Sequence, residues 1–454
     1  MDKGSNNTHS IFKCPDHIRE ASKGCYDPRA LTLGPYAPKR GSKYASLNTQ
    51  KLNVLRDIMR SKGVSSVEQL ATALGITSDE IHQKFVSIPN WDIEAVRRIL
   101  AIDSLFVAGI FVAILVESTR ERARESNNDP AFDPQSVPQS VLNAEGLLAA
   151  LASFPGFGRD QPAYQAFRQD AHVICRDLLL LENQIPTSFL KKALSYIIPN
   201  FTGEMAEELL SRSMRSLILA MGFILKLKSS YILALQKFNL SSCEHLLHFY
   251  YRVTTGNRND EGRFSPDQLG ILDIKLPSIS ELQLFGLQLK SEPKFLRSVR
   301  FRKGTISTIY LPQIIVNNDT ETLIRNLLAF EFLTERLPVV SSYVVLMDHL
   351  IDTVSDVKIM RKHGVLECDL GDDKLVCKLW NGFRHDDLLL SKDRLEEFDS
   401  IMKARSPFMK QIWDTYRQTC ASLYLFLGLI AAFILLACAI MQALYSALGY
   451  YHPR

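Results

Sequence analysis

Apolar residues recur at helical spacing along most of the chain. Leu52, Leu55 and Met59 lie at i, i+3 and i+7, which places them on one face of a helix. A longer stripe occupies positions i, i+3, i+4, i+7 and i+8: Tyr343, Leu346, Met347, Leu350 and Ile351. The pattern predicts a mainly α-helical fold.

The segment 294–316 follows a different pattern. Its β-branched and aromatic residues flank Arg302-Lys303-Gly304, a sequence that favours a turn. We expect two strands joined as a β-hairpin there. The predicted fold class is therefore a helical globular domain with a small β-hairpin region.

An apolar segment without charges lies near the C-terminus. Residues 420–441 read CASLYLFLGLIAAFILLACAIM, and about 20 such residues cross the hydrocarbon core of a bilayer. Tyr416 and Tyr445 flank the run, and a helix between them would span about 43 Å, which matches the separation of the two interfacial belts. The sequence predicts one C-terminal transmembrane helix over 420–448.

A second apolar run, at 99–116, contains Asp103. A charged side chain near the centre of a membrane costs about 2–3 kcal/mol. We therefore expect this run to form a buried helix of the globular domain, with a second membrane span as the alternative.

Changes in composition divide the chain into segments. We predict a flexible N-terminal tail at 1–24, a helical domain at 25–400, a basic juxtamembrane segment at 401–419, the transmembrane helix at 420–448 and a short tail at 449–454. The polar stretch 254–268 is rich in turn-forming residues. It is the predicted linker between two lobes of the domain, 25–253 and 269–400.

Charges around the apolar segment predict the topology. Four basic residues precede it, namely Lys403, Arg405, Lys410 and Arg417, whereas Arg454 alone follows it. Because positive charge is retained on the cytosolic side, we expect a single-pass protein whose N-terminal domain is cytosolic. The sequence leaves open whether the membrane is the plasma membrane or an endomembrane.

A basic cluster contrasts with the net charge of only +4 for the whole chain. Between 290 and 303, Glu292 is the one acid among six bases: Lys290, Lys294, Arg297, Arg300, Arg302 and Lys303. We interpret the cluster as a contact surface for an anionic partner, with lipid headgroups beside the anchor as the first candidate and a solvated face as the alternative. The cluster does not resemble an aromatic stacking platform, so we expect no nucleic acid partner.

Short catalytic and nucleotide-binding motifs are absent from the sequence, including GxxxxGK[ST], GxGxxG, GxSxG and HExxH. His245 and His248 share a helical face near Cys243, so a zinc pair is conceivable, but an amphipathic helix explains the same spacing. We expect no cofactor, no metal and no enzymatic activity. The alternative is a membrane-associated enzyme with an unrecognised active site.

Three small residues, Ala439, Ala443 and Ala447, are spaced four apart in the predicted membrane helix. Small residues at this spacing let two helices approach closely. The series therefore permits a homodimer through the membrane segment, although alanine is common in such segments.

The most specific string is DLLLLENQIP, at Asp177–Pro186. It closely resembles the signature of a plant-specific family, domain of unknown function 247 (uncharacterised protein family 0481). Further segments resemble the family in the expected order, among them CYDPRALTLGPYAPKR at 25–40, so the resemblance covers about 25–445. The chain departs from the family pattern at 36–38, which read Tyr-Ala-Pro instead of His-His-Gly, and at Thr187, where Phe is usual.

The polar residues of this signature are the candidate site. Glu182, Asn183 and Gln184 can satisfy unpaired backbone groups at two abutting helix ends, and Pro186 fits the first position of the second helix. We interpret the set as a structural turn, with a binding site as the alternative: Asp177, Glu182, Asn183, Gln184 and Pro186.

The resemblance implies a protein without an established enzymatic activity. Some grass members of the family are implicated as pollen-side determinants of self-incompatibility. The predicted function is therefore a membrane-anchored interaction or recognition protein with an unidentified protein partner. The biological process is left open.

Overall fold

The structure is a computed structural model. It describes residues 10–22, 24–36, 45–86, 92–128, 155, 161–198, 201–221, 243–256, 269–270, 276–304, 307–334, 336–383, 390–403, 415 and 423–451. Within these residues, buried apolar side chains from Ile11 to Ile401 form one hydrophobic cluster.

The first half of the domain is built around one long helix, α5. The helices of this half are α1 (Asp16–Ala21), α2 (Ala45–Lys62), α3 (Val67–Ala73), α4 (Ser78–Lys84), α5 (Ile93–Asn128), α6 (Pro162–Asp177), α7 (Thr187–Ile197), α8 (Gly203–Met221) and α9 (Leu246–Thr255). α5 packs against α2, α3, α4, α6, α7 and α8, so it lies at the centre of this half.

The second half combines short helices with small sheets. Its helices are α10 (Ile279–Leu284), α11 (Thr320–Leu333), α12 (Val339–Leu350), α13 (Val354–Lys362), α14 (Asp373–Asn381), α15 (Lys392–Lys403) and α16 (Leu423–Tyr451). The strands are β1 (Leu269–Gly270), β2 (Gln288–Glu292), β3 (Arg300–Arg302), β4 (Thr308–Pro312), β5 (Ile314–Val316), β6 (Leu366–Cys368) and β7 (Leu390–Ser391).

The largest sheet among the described strands has the order β2–β4–β3. β3 and β4 are antiparallel neighbours that form the predicted hairpin, and β2 is parallel to β4 on its other side. Two smaller sheets pair β1 with β7 and β5 with β6. The predicted fold class, mainly helical with a small β-hairpin region, is confirmed.

The apolar run 99–116 lies inside the domain as part of α5, where Leu100 and Phe111 are fully buried. Asp103 is buried as well, and its carboxylate is paired with Lys51 Nζ at 2.6 Å and accepts the backbone N–H of Gly34 at 2.8 Å. A buried carboxylate is tolerated when it is paired and hydrogen-bonded. The run is therefore a core helix, as its acidic residue indicates.

The packed domain begins earlier than predicted, because residues 10–22 of the predicted tail contact it. Ile11 and Cys14 are each 1% exposed, and the backbone N–H groups of Ser10 and Ile11 both donate to the carbonyl of Lys84. These partners lie more than 70 residues away, so the local polar pattern does not indicate them.

The two predicted boundary segments are described only at their edges. Thr254 and Thr255, from the predicted linker, belong to α9 and are buried. Residues 257–268 of the linker and nearly all of the juxtamembrane segment lie outside the described residues. The division into two lobes therefore stays a prediction.

α16 coincides closely with the predicted transmembrane helix, since it covers Leu423–Tyr451. Its segment Leu427–Leu444 is long and apolar enough to cross a membrane, and no part of that segment is buried. The chain thus leaves its most apolar described helix uncovered.

Candidate functional site

The signature DLLLLENQIP forms the connection between α6 and α7. Asp177 is the last residue of α6, and the chain turns through 178–186 before α7 begins at Thr187. Asp177, Asn183 and Gln184 are at most 3% exposed, and Glu182 is 7% exposed. Because buried polar groups of this kind need hydrogen-bond partners, their partners define the role of the turn.

Asp177 holds the backbone of an N-terminal segment, residues 29–34, which we call the strap. Its carboxylate accepts the backbone N–H groups of Arg29 at 2.9 Å, Ala30 at 2.7 Å and Leu31 at 2.9 Å. The buried guanidinium of Arg176 donates to the same carboxylate at 2.6 Å. Burial raises the pKa of the Asp177 carboxyl, while these donors act in the opposite direction.

Asn183 extends this contact along the strap. Its Oδ1 accepts the N–H of Leu33 at 2.6 Å, and its Nδ2 donates to the carbonyl of Leu31 at 2.9 Å. The same Nδ2 also donates to the carbonyl of Asp177 at 2.8 Å. One amide side chain therefore joins the strap to the end of α6.

Gly34 ends the strap in a left-handed conformation, with φ at 70°. Its N–H donates to the carboxylate of Asp103 at 2.8 Å, and an added Cβ would lie 3.3 Å from the carbonyl oxygen of Gln184. Glycine adopts such a φ without strain. The position therefore suits glycine both for its dihedral angle and for the close approach of the signature turn.

Gln184 joins two helix ends. Its Nε2 donates to the carbonyls of Leu178 at 2.9 Å and Leu180 at 2.6 Å, just beyond α6. Its Oε1 accepts the N–H of Leu247 at 3.0 Å, in the first turn of α9. The sequence suggests α6 and α7 as the abutting helices, whereas the structure places α9 at the far end of this contact.

Glu182 binds a segment that precedes the strap in the sequence. Its carboxylate accepts the N–H of Cys14 at 2.8 Å and is paired with the guanidinium of Arg19 at 2.5 Å. Three side chains of one turn thus hold two separate N-terminal segments.

Pro186 occupies the N-cap position of α7, one residue before the predicted position. The next residue, Thr187, donates its backbone N–H to the carbonyl of Glu244 at 2.8 Å and its hydroxyl to the carbonyl of Cys243 at 2.7 Å. Phenylalanine, the residue usual in the resembling family, has no hydroxyl for the second bond. Thr187 therefore fixes α7 to the segment before α9 through both its backbone and its side chain.

Two histidines beside this segment, His245 and His248, are buried and hydrogen-bonded within the core. The Nε2–H of His245 donates to the carbonyl of Ser10 at 2.8 Å, and its Nδ1 accepts the N–H of His248 at 3.3 Å. Burial lowers the pKa of His245 to about 3, so its imidazole is neutral. Among the described residues, no three His, Cys, Asp or Glu side chains form a group that could hold a metal ion.

α11 contributes partners that the sequence analysis does not single out. Asn326 accepts the N–H of Leu181 at 2.7 Å through Oδ1 and donates to the carbonyl of Cys25 at 2.9 Å. The hydroxyl of Tyr26 donates to the carbonyl of Arg325 at 3.2 Å. The sequence indicates a special role for Asn326 only because it is a polar residue within the largely apolar segment TLIRNLLAF. Its hydrogen-bond partners are too distant along the chain to be inferred from that segment.

Glu331 is a second buried carboxylate that sequence reasoning misses. It accepts the backbone N–H groups of Val339, Val340 and Ser341, each at 2.9 Å, and the hydroxyl of Tyr251 at 2.9 Å. It therefore caps the first turn of α12 from another helix. Burial raises the pKa of Glu331 to about 7, although the backbone and Tyr251 donors favour its ionised form.

The basic cluster lies on and beside the β2–β4–β3 sheet. Five of its members are exposed and one, Lys294, is half-buried; the five are Lys290, Arg297, Arg300, Arg302 and Lys303. Glu292 is paired with Lys294 at 2.7 Å and with Arg300. The structure thus brings the cluster and its one acid together on a surface, separate from the buried signature turn.

Comparisons with known proteins show similarity to one plant family. The profile of DUF247, a plant protein family of unknown function, matches residues 11–438. A UPF0481 protein of Arabidopsis thaliana is 24% identical, in an alignment that covers 83% of this chain and 78% of that protein. No solved structure matches the chain. Because the family profile spans the strap, the signature turn and much of the C-terminal helix, the chain belongs to the plant family DUF247.

Proposed function

We propose that the chain is a single-pass membrane protein whose helical domain lies on the cytosolic side and recognises a protein partner there. The observation that carries this proposal is α16, whose segment Leu427–Leu444 is apolar and wholly uncovered. The 29 residues of α16 extend about 43 Å as a helix, enough to cross a bilayer. Lipid covers such a helix, whereas water disfavours its apolar surface.

The contrast with α5 supports the anchor. The segment Ile93–Leu115 is also long and apolar, but it is 83% buried and contains the paired Asp103. The domain covers this helix with its own side chains. A membrane would do the same for α16.

Flanking charge supports the proposed cytosolic orientation. Lys403 ends α15, and three further bases precede α16, namely Arg405, Lys410 and Arg417. Such an excess of Lys and Arg favours retention on the cytosolic side.

Recognition, rather than catalysis, is favoured by the use of the signature residues. Asp177, Asn183 and Gln184 bind backbone groups of their own chain. These hydrogen bonds shape the domain. The surface of the domain is then the part that a partner would contact.

The anchor and its orientation are tested with the full-length chain, extended by a C-terminal glycosylation tag and translated with microsomes. We expect glycosylation of the tag, digestion of the domain by added protease, and retention in the pellet after carbonate washing. A variant that lacks 420–454 should enter the supernatant. Carbonate-resistant retention of this variant would contradict a single anchor.

Asn318 provides an internal control for the orientation. It is exposed and begins the sequon Asn318-Asp319-Thr320. In the proposed topology Asn318 stays unmodified, and N318Q has the same mobility on a gel. A mobility shift that N318Q abolishes would place the domain in the lumen and overturn the topology.

Recognition of a partner is tested by fusing a proximity-labelling enzyme to the N-terminus in plant cells. The control is the same enzyme on residues 401–454 alone, which carries the anchor without the domain. Proteins labelled only by the full chain support recognition. Identical labelling by both fusions would contradict it.

A further inference from the structure

Strand register places basic residues in rows on the β2–β4–β3 sheet. Tyr310 of the central strand pairs with Lys290 on one side and with Arg300 on the other. In the neighbouring row, Thr308 pairs with Arg302. Because side chains two apart on a strand point to the same side, these bases share one face of the sheet.

The opposite face of the same sheet is the one that packs on the core. Leu289 and Ile309 are 3% and 1% exposed, and Phe301 packs against the same hydrophobic cluster. Leu289 and Phe301 alternate with bases along their strands, and Ile309 alternates with Thr308 and Tyr310. The basic side is therefore the outer surface of the domain.

This outer surface, which we call the basic face, has an excess of positive charge. The segment that carries it, 290–303, contains six bases and one acid and has a formal charge of 6 − 1 = +5, and strand register places Lys290, Arg300 and Arg302 on the face itself. Glu292 is paired with Lys294 and Arg300, and the guanidinium of Arg300 lies 4.5 Å from the ring centroid of Tyr310. A tyrosine among bases suits the boundary between a membrane and water, where its ring and hydroxyl meet different environments.

The chain connects the sheet to α16 through α15. α15 packs against β3, an edge strand of the sheet, and ends at Lys403. The segment 404–422 then connects to α16 and adds three bases in sequence. Fully extended, it would reach about 70 Å, which is long enough for the basic face to lie against the bilayer while α16 spans it.

We infer that the basic face docks onto the anionic lipid headgroups of the leaflet from which α16 emerges. The inference rests on the proposed anchoring by α16. Each basic residue held near an anionic surface strengthens attachment about fivefold. Because the domain is tethered to the same membrane, a modest attachment of this kind is enough to fix its orientation.

The test uses the full-length chain in nanodiscs, made either of phosphatidylcholine alone or with about 30% phosphatidylserine. Acetylation of lysines, read by mass spectrometry, measures their accessibility. We expect Lys290 and Lys303 to react several-fold more slowly in the phosphatidylserine discs at low salt, and the difference to vanish at about 0.5 M salt. Lys358 and Lys374, which are exposed on α13 and α14, serve as controls and should react equally in both discs.

A matched pair of variants separates the basic face from general charge. R300Q/R302Q removes two bases from the face and should weaken docking roughly 25-fold, so that Lys290 and Lys303 regain their reactivity. R56Q/R60Q removes two exposed arginines from α2 and should leave their protection unchanged. Equal loss of protection in both variants would overturn the assignment to this face.

The outcomes distinguish this inference from the anchoring on which it rests. A chain that fails to enter the discs contradicts anchoring itself. A chain that enters both discs, with Lys290 and Lys303 equally reactive in each, retains the anchor and overturns lipid docking. Protection that requires an added acidic protein instead of phosphatidylserine would also overturn lipid docking, and would assign the face to that partner.

Discussion

The signature turn and the basic face are both rich in polar side chains, but they use them in opposite ways. In the turn, Asp177 and Asn183 are buried and bind backbone groups of the strap. On the face, Lys290 and Arg302 are exposed. The difference teaches that charge density alone does not identify a contact site, because buried charges serve the fold and exposed ones remain for other molecules.

The largest effect is expected from removing the carboxylate of Asp177, which tests whether the turn serves the fold. D177A leaves the buried Arg176 without its closest partner and removes the acceptor of three strap N–H groups. We expect the free energy of unfolding to fall by about 3–5 kcal/mol. Thermal unfolding of the detergent-solubilised chain measures this loss.

The matched control for that substitution is D57A on α2. Asp57 is partly exposed and lies 3.8 Å from Arg60, so its removal should change stability by no more than about 0.5 kcal/mol. Similar losses from D177A and D57A would show that the signature carboxylate is not the structural centre that its contacts indicate.

A second buried carboxylate, Glu331, makes the stability of the domain depend on pH. The pKa of Glu331 is raised from 4.5 to about 7 in the folded chain. Its stabilising contribution is therefore complete below pH 4.5 and is lost as pH rises to about 7, by about 1.4 kcal/mol per unit and about 3 kcal/mol in all. The stability difference between wild type and E331Q, measured from pH 4.5 to 8, should decrease over this range and then level off. A constant difference would contradict the raised pKa.

Pro186 tests the turn with a smaller perturbation. P186A keeps the N-cap position of α7 but releases a φ that is now fixed at −56°, and increases the freedom of the unfolded chain. We expect a loss of about 1 kcal/mol in stability with partner binding intact. An unchanged melting curve combined with lost partner binding would instead identify the turn as a binding site.

The smallest effect is expected on the basic face. R300Q/R302Q alters exposed side chains, apart from the contacts of Arg300 with Glu292 and Tyr310. We expect a change of no more than about 0.5 kcal/mol in the free energy of unfolding, within the range of surface substitutions. A loss as large as that of D177A would mean that this face serves the fold.

Local patterns were sufficient for the elements that depend on neighbours in sequence. The stripe from Tyr343 to Leu350 lies within α12, and Lys303 and Gly304 of the predicted turn follow β3 of the hairpin. The parallel pairing of β2 with β4 could not be predicted from the sequence. The β2 segment, QLKSE, has few strand-favouring residues, and β4 begins 20 residues after the start of β2. Parallel pairing leaves no turn signal between adjacent strands.

The candidate site shows the same limit. DLLLLENQIP indicates a polar network in an apolar setting, since Glu182, Asn183 and Gln184 follow four leucines. The partners could not be predicted, because Ala30 and Leu33 lie about 150 residues before the groups that bind them. Backbone donors are the same at every residue except proline, so no side-chain pattern identifies which ones a buried carboxylate will bind.

The distant contacts of the N-terminal segment also determine how late in synthesis its folding can be completed. The amide of Asn326 binds the carbonyl of Cys25, 301 residues earlier, and Asp177 emerges 147 residues after Ala30. At about 5–20 residues per second, a ribosome needs roughly 15–60 s to supply the last of these partners. The first part of the chain is therefore available to chaperones and proteases for tens of seconds. Its contacts with Asp177 can close first, and those with Asn326 only after most of the domain has been made.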